Sequence, residues 1–287
     1  MAGEDQGSPT LRRRELGFLL RQLRTERELT VDEVTARLLF SPTKLSRLET
    51  GRTGASPRDV RDLCDLYGVV DPAERDRLMT LAREGKQRGW WQEYALPYAT
   101  YVGLEAEAAS IRDYNSDLVN GLLQVDGYAR AILQQAHEPP LDDATVEQHV
   151  EARIRRQALL TKKDGPLFHS ILDEGALRRP VGGPAVMRAQ LERIIELAGL
   201  PRVTFQLIPL DVGAHPGLGS TFVILDFEEP MVNDVVYVEG LVGNIYLEGA
   251  ADLERYRQVF SRLHSIALSP KNSIAAAKRI ATTYIDT

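Results

Sequence analysis

The chain has 287 residues, 43% of them hydrophobic and 26% charged, which is enough to bury substantial cores and, by length, to form two domains. No run of about 18 apolar residues occurs, and the start MAGEDQGSPT is acidic and polar, so a membrane span and a signal peptide are not expected and the cytoplasm is. The net charge of −6 is uneven: residues 11–70 carry 12 Lys and Arg against 9 Asp and Glu, a net of +3, residues 1–10 carry −2, and the remaining 217 carry −7.

Residues 1–10 read as a disordered tail. A helix is expected over Arg12–Glu28, with Leu16, Leu19, Leu20 and Leu23 on one face. Arg12, Arg13 and Arg14 precede that stripe and form either an approach to a polyanion or a solvated arm. Thr30 can cap a second helix, with Asp32 and Glu33 adding negative charge to its first turn. Its inward face would be Val34 and Leu38, flanked by Val31 and Ala36. Ser41 followed by Pro42 signals a third helix. On a helical wheel Leu45 and Leu48 share one face, Thr43, Ser46, Arg47 and Thr50 point away, and Lys44 sits on the flank. A short, polar and cationic face of this kind is what a reader of the DNA major groove needs: hydroxyls and amides for phosphates, long donors for base edges.

The spacing of Ser41, Leu45, Ser46, Arg47, Glu49 and Gly51 resembles the recognition helix of the Xre or lambda-repressor-like helix-turn-helix family. The resemblance implies that Thr43, Lys44 and Arg47 meet bases or phosphates, that Ser41 and Ser46 position the helix on the backbone, and that Arg52 contacts phosphate. Glu49 is expected to be structural, because a carboxylate facing phosphates would be repelled. Two positions depart from the family pattern. Leu39 stands where a turn glycine is usual, and a left-handed conformation there costs about 1 kcal/mol. Val31 replaces a glutamine that many relatives use on phosphate.

Ser56-Pro57 starts a further helix through Tyr67, in which Cys64 shares a face with Val60 and Leu63 and reads as a core residue. Another helix runs from Pro72 to about Arg83, so five helices complete an all-α domain over 11–83. Residues 84–101, EGKQRGWWQEYALPYATY, hold Trp90 and Trp91 and read either as a ligand box or as a connector pinned against the second domain by its aromatic side chains.

Residues 102–287 are expected to form a mixed α+β domain. VGLEAEAASI and LLQVDGYARAILQQA read as amphipathic helices, and ATVEQHVEARIRRQALL as one carrying Val146, Val150, Ile154 and Ala158 at steps of four. Five strands follow the change of period, at 167–173, 202–209, 220–227, 234–240 and 243–249, with the last two forming a hairpin around Leu241 and Val242 in an antiparallel sheet. A helix ending at Gly199 presents Met187, Leu191, Ile194 and Ala198 inward. Two helices close the chain, one carrying Leu253, Tyr256, Phe260 and Leu263 and the other starting at Ser269-Pro270.

RGWWQEY, YVGLEAEA, LVNGLLQVDGYARAIL, LDEGALRRPVGG, GAHPGLGSTFVILDF and VVYVEGL resemble the C-terminal domain of unknown function found in WhiJ-like, antitoxin-like actinobacterial regulators. That resemblance implies a transcriptional regulator, often encoded beside a small antagonistic partner protein. No catalytic residues, metal site or cofactor are expected: His137, His149, His169, His215 and His264 lack ligand spacing, one cysteine cannot make a thiolate zinc site, and no P-loop or nucleophile elbow occurs. His215, in the loop GAHPGLG, is either a ligand contact or a loop histidine satisfied by backbone, and Arg178 with Arg179 either binds an anion or is solvated.

The expected function is therefore sequence-specific operator binding by a homodimer, with the acidic C-terminal domain sensing a small-molecule effector or a protein partner. The alternative is an antitoxin-like interaction module that holds a small partner protein and binds DNA mainly for autoregulation.

Overall fold

The computed structural model describes residues 8–135, 139–228, 232–240 and 243–284. Residues 1–7 of the expected tail, His137 and the hairpin residues Leu241 and Val242 lie outside the described residues. Two units are separable by their internal contacts: Met1–Glu107 with Glu228–Asn233, and Ala108–Phe227 with Asp234–Thr287.

In the first unit α1 (Pro9–Glu26) begins three residues before the expected Arg12, because Ser8 Oγ caps it by accepting the Thr10 amide and Pro9 fills the first turn. Ser8 also donates through Oγ to Gly103 O at 3.0 Å and through its amide to Glu107 at 2.9 Å. Arg12, Arg13 and Arg14, three of the five arginines of α1, do not form a solvated arm. Arg12 pairs with Glu15 and Glu84, Arg13 Nε donates to Pro9 O, and Arg14 is buried. All three lie within the helix and are held by the unit itself.

Helices α2 (Val31–Leu38), α3 (Pro42–Glu49), α4 (Pro57–Tyr67) and α5 (Pro72–Glu84) follow, each with an oxygen-bearing N-cap: Thr30, Ser41, Ser56 and Asp71. Their apolar faces meet in one core built on Leu16, Leu20, Val34, Leu45, Leu48, Val60, Leu63, Cys64 and Leu78. Each such aliphatic side chain contributes about 1.5–3 kcal/mol when fully withdrawn from water. In α2 the inward face is narrower than expected: Val34 is buried, Leu38 and Val31 are partly buried, and Ala36 is exposed. A 3-10 helix (Trp90–Tyr94) and α6 (Ala99–Glu105) complete the unit.

In the second unit β1 (Ser110–Asn115) is followed by α7 (Asp126–Gln135), α8 (Asp143–Arg156), α9 (Ala158–Thr161), β2 (Leu167–Asp173), α10 (Glu174–Arg178), α11 (Pro184–Leu197) and β3 (Val203–Ile208). Then come β4 (Phe222–Asp226), β5 (Val235–Gly240), β6 (Gly243–Leu247), α12 (Ala250–Ile266) and α13 (Pro270–Thr282). The sheet order is β3-β2-β1-β4-β5-β6. The expected antiparallel sheet is mixed instead, with β1, β2 and β3 mutually parallel and β1 antiparallel to β4. The helices between β1 and β2 and between β2 and β3 supply the crossovers that parallel pairing requires. The five expected strands are present, β5 and β6 pair as a hairpin, and β1 is a sixth strand that begins inside the helix expected over VGLEAEAASI.

One sheet face, with Ile171, Ile208, Ile224 and Val236, packs on Leu253, Phe260 and Leu263 of α12. Alternation puts Phe168, Leu172, Phe205 and Leu207 on the opposite face, where they are also buried. The outer edge of β3 is closed: Leu207 donates to Ser273 Oγ and accepts from the Leu268 amide, each at 2.9 Å. The long helix expected over 144–160 breaks at Gln157, and Ile154 and Ala158 are exposed. A step of four residues overshoots one helical turn, so a stripe of such steps drifts off the buried face after Val146 and Val150.

Candidate nucleic-acid interface

Helices α2 and α3 are joined at Leu39, whose backbone is left-handed at φ 53°, ψ 37° and whose side chain is 92% exposed. The turn keeps the geometry that the usual glycine would give, with a residue that pays in strain. Ser41 Oγ then accepts the Lys44 amide at 3.1 Å, and Pro42 occupies the first turn of α3.

Three contacts fix which face of α3 is presented. Leu45 and Leu48 are buried in the core. Gly17 of α1 lies so close that a Cβ there would stand 2.5 Å from Leu48 O and 2.7 Å from Glu49 O. Glu49 is clamped by Arg24, whose Nε and Nη2 donate to its carboxylate at 2.6 and 3.0 Å while Nη1 reaches Leu29 O at 2.8 Å. The bond from Glu49 holds the Arg24 guanidinium above its ordinary pKa, against the opposing effect of burial.

The opposite face carries Thr43, Ser46 and Arg47, all exposed, with Ser41 at its start and Arg52 just beyond its end. Among the described residues Arg47 and Arg52 meet no carboxylate in an ion pair. Lys44 is different. Its Nζ lies 2.7 Å from Asp59 Oδ1 on α4 and 3.7 Å from the centroid of the Phe40 ring. Burial pushes the Asp59 carboxyl up, but hydrogen bonds from Lys44 and Ser56 outweigh it and leave the group below its ordinary value. Sequence reading missed this partner, although Asp59 closes a capping box with Ser56 that the S-P-x-D order shows.

The residues expected to contact a ligand fall in separate units. Trp90 and Trp91 belong to the first, where they meet edge to face at 6.0 Å and Trp90 meets Tyr94 at 5.8 Å. Trp91 is buried, its ring lying against Gly89 and Gly103 so closely that neither position has room for a Cβ. These aromatics pack within the first unit.

His215 and Arg178 lie in the second unit, near the carboxyl end of β2. The Gly217 amide donates to His215 Nδ1 at 3.3 Å, so the other ring nitrogen carries the proton and donates to Asp173 at 3.3 Å. Gly217 itself sits over Tyr114, where a Cβ would meet the ring at 2.5 Å. Arg178 Nε donates to Glu174 at 2.7 Å, and Arg179 is exposed.

Two further polar clusters of this unit escaped sequence reading. Buried Asp113 accepts from Asn115, Asn120 and Ser170 at 2.6–2.9 Å. His169 and His264 each donate to Gln206 Oε1, at 2.7 and 2.6 Å. Burial holds the His169 imidazole below its ordinary value, against the bond to Gln206. No group of three or more His, Cys, Asp or Glu among the described residues is placed to hold a metal ion. No helix among them is long and apolar enough to cross a membrane.

A family model described as a helix-turn-helix domain matches residues 15–78, which covers α2, the strained turn and α3. A second, described as a domain of unknown function (DUF5753), matches residues 98–279. The chain belongs to the DUF5753 family. Neither a curated protein nor a solved structure matches it. The DUF5753 range begins at Tyr98, so α6 falls inside that family's range while its contacts belong to the first compact unit.

Proposed function

We propose that this DUF5753 protein is a sequence-specific transcriptional regulator of the Xre and WhiJ-like kind. In this reading α3 enters the major groove, with Arg47 on base edges, Thr43 and Lys44 on bases or phosphates, and Ser41, Ser46 and Arg52 on the backbone. The observation that carries it is the exposed, cationic outer face of α3, held outward by the Gly17 contact and the Arg24–Glu49 clamp.

One recognition helix covers few base pairs, so the reading includes a two-fold homodimer on half-sites about one helical turn apart. The second unit is assigned the sensing of a small molecule or protein partner, with His215 and Arg178 as its candidate contacts. Its effect on the operator equals the effector's difference in affinity between the two states and no more.

The test is selection of duplexes from a randomised pool by the full chain, followed by fluorescence anisotropy of the selected duplex with wild type and Arg47→Ala at several salt concentrations. Loss of a bidentate base contact costs roughly 1–3 kcal/mol on the selected duplex and little on a scrambled one. Equal, weak binding of both proteins to every duplex would overturn the reading.

A further inference from the structure

Among the described residues, Lys44 is the one cation of the α3 face that meets a carboxylate of the protein itself. Its ammonium is held between the Asp59 carboxylate at 2.7 Å and the Phe40 ring at 3.7 Å. Asp59 is fixed in turn, because Oδ2 accepts the Ser56 amide while its own amide donates to Ser56 Oγ. The carboxylate therefore cannot follow a moving lysine without opening the cap of α4. The pair is neither deep nor fully solvated, with side chains 41% and 17% exposed, so a phosphate can compete for the lysine.

We infer that Asp59 is a specificity-determining positioning residue: it withholds Lys44 from the phosphates of arbitrary DNA and releases it only where base contacts by the rest of α3 hold the helix in register. This rests on the DNA-reading assignment above. Non-specific affinity comes from cations that displace condensed counterions, so a lysine already paired with a carboxylate adds little to it. On a correct site the α3 face is held close by its other contacts, and exchanging Asp59 for phosphate becomes favourable. Discrimination is a difference between two affinities, and lowering the non-specific one raises it. Phe40 serves the same end by keeping the lysine stem folded against the turn.

The experiment compares full-length wild type, Asp59→Asn, Lys44→Ala and the double variant on two probes: a duplex selected by wild type from a randomised pool, and a duplex of scrambled sequence. Circular dichroism first confirms that each variant is folded. Asp59→Asn is expected to bind the scrambled duplex several-fold more tightly, with a log K against log salt slope steeper by about 0.9, and so to lose part of its preference for the selected duplex. In the Lys44→Ala background the same substitution is expected to change neither slope nor preference, because Asp59 acts through the lysine.

If wild type selects a duplex but Asp59→Asn keeps the wild-type slope and preference, this inference fails and the DNA-reading assignment stands. An Asp59→Asn effect that persists without Lys44 also overturns it, since the carboxylate would then act by its own charge. If wild type selects nothing and binds no duplex, both fall together.

Discussion

Glu49 lies on the same helix as the residues assigned to DNA, yet its carboxylate is turned inward onto Arg24, with only 6% of its side chain exposed. Removing one partner of such a pair leaves a poorly solvated charge behind, so Glu49→Ala is expected to destabilise the first unit by about 3 kcal/mol. Replacing both partners with apolar groups, as in Arg24→Met with Glu49→Leu, should recover most of that loss. Thermal unfolding followed by tryptophan fluorescence checks both, since Trp90 and Trp91 belong to that unit. If the double variant were as unstable as Glu49→Ala, packing and not charge would be the cause. The inward role of Glu49 was legible in the sequence because a carboxylate cannot face phosphates. The capture of Lys44 was not, because Asp59 is 15 residues away and only the angle between α3 and α4 brings the two together. The same holds for His215, whose partners Asp173 and Gly217 are chosen by the path of a loop.

At the scale of elements, the starts of α2, α3 and α4 were legible to the residue because capping is local: Thr30, Ser41 and Ser56 each satisfy the amide three positions ahead. Strand β1 was not legible. SIRDYN carries Asp113 and Asn115, types that strands usually exclude, and they are tolerated because Asn115 donates to Asp113, whose carboxylate also accepts from Asn120 and Ser170. Parallel pairing of β1 with β2 was hidden too, since it depends on where three intervening helices deliver the chain and not on either strand's residues. The turn at Leu39 gives the sharpest prediction at this scale. Its side chain packs on almost nothing, so Leu39→Gly removes strain at little cost in contacts, offset in part by the greater freedom of glycine in the unfolded chain. The expected net gain is roughly 0.5–1 kcal/mol, or about 2–8 °C in the midpoint of a domain this size. A fall in the midpoint would mean that the turn is not strained.

At the scale of the whole molecule, the histidines are divided unevenly between the units. Basic residues concentrate in 11–70, while all five histidines lie beyond residue 107, in the second unit. Protons exchanged by histidine between about pH 7.5 and pH 5.5 are therefore exchanged by the second unit alone. His169 gives the sign. Burial lowers its folded pKa below the ordinary 6.5, so near pH 6 the unfolded chain binds more protons than the folded one. The contribution of the neutral imidazole is fully present above pH 6.5 and is lost as the pH falls towards the folded value, below which the loss is complete. His264, sharing Gln206 Oε1 with His169, and Arg112, its partner in register on β1, make a positive charge there less favourable still. Urea unfolding of the full chain followed by circular dichroism, which sees both units, should show a midpoint that falls between about pH 7.5 and pH 5.5. His169→Gln keeps a donor for Gln206 but cannot titrate, so its midpoint should fall less over the same interval. A wild-type midpoint that stays flat would show that His169 takes up its proton equally well in both states. If instead the midpoint falls and the variant follows it unchanged, another of the five histidines carries the linkage.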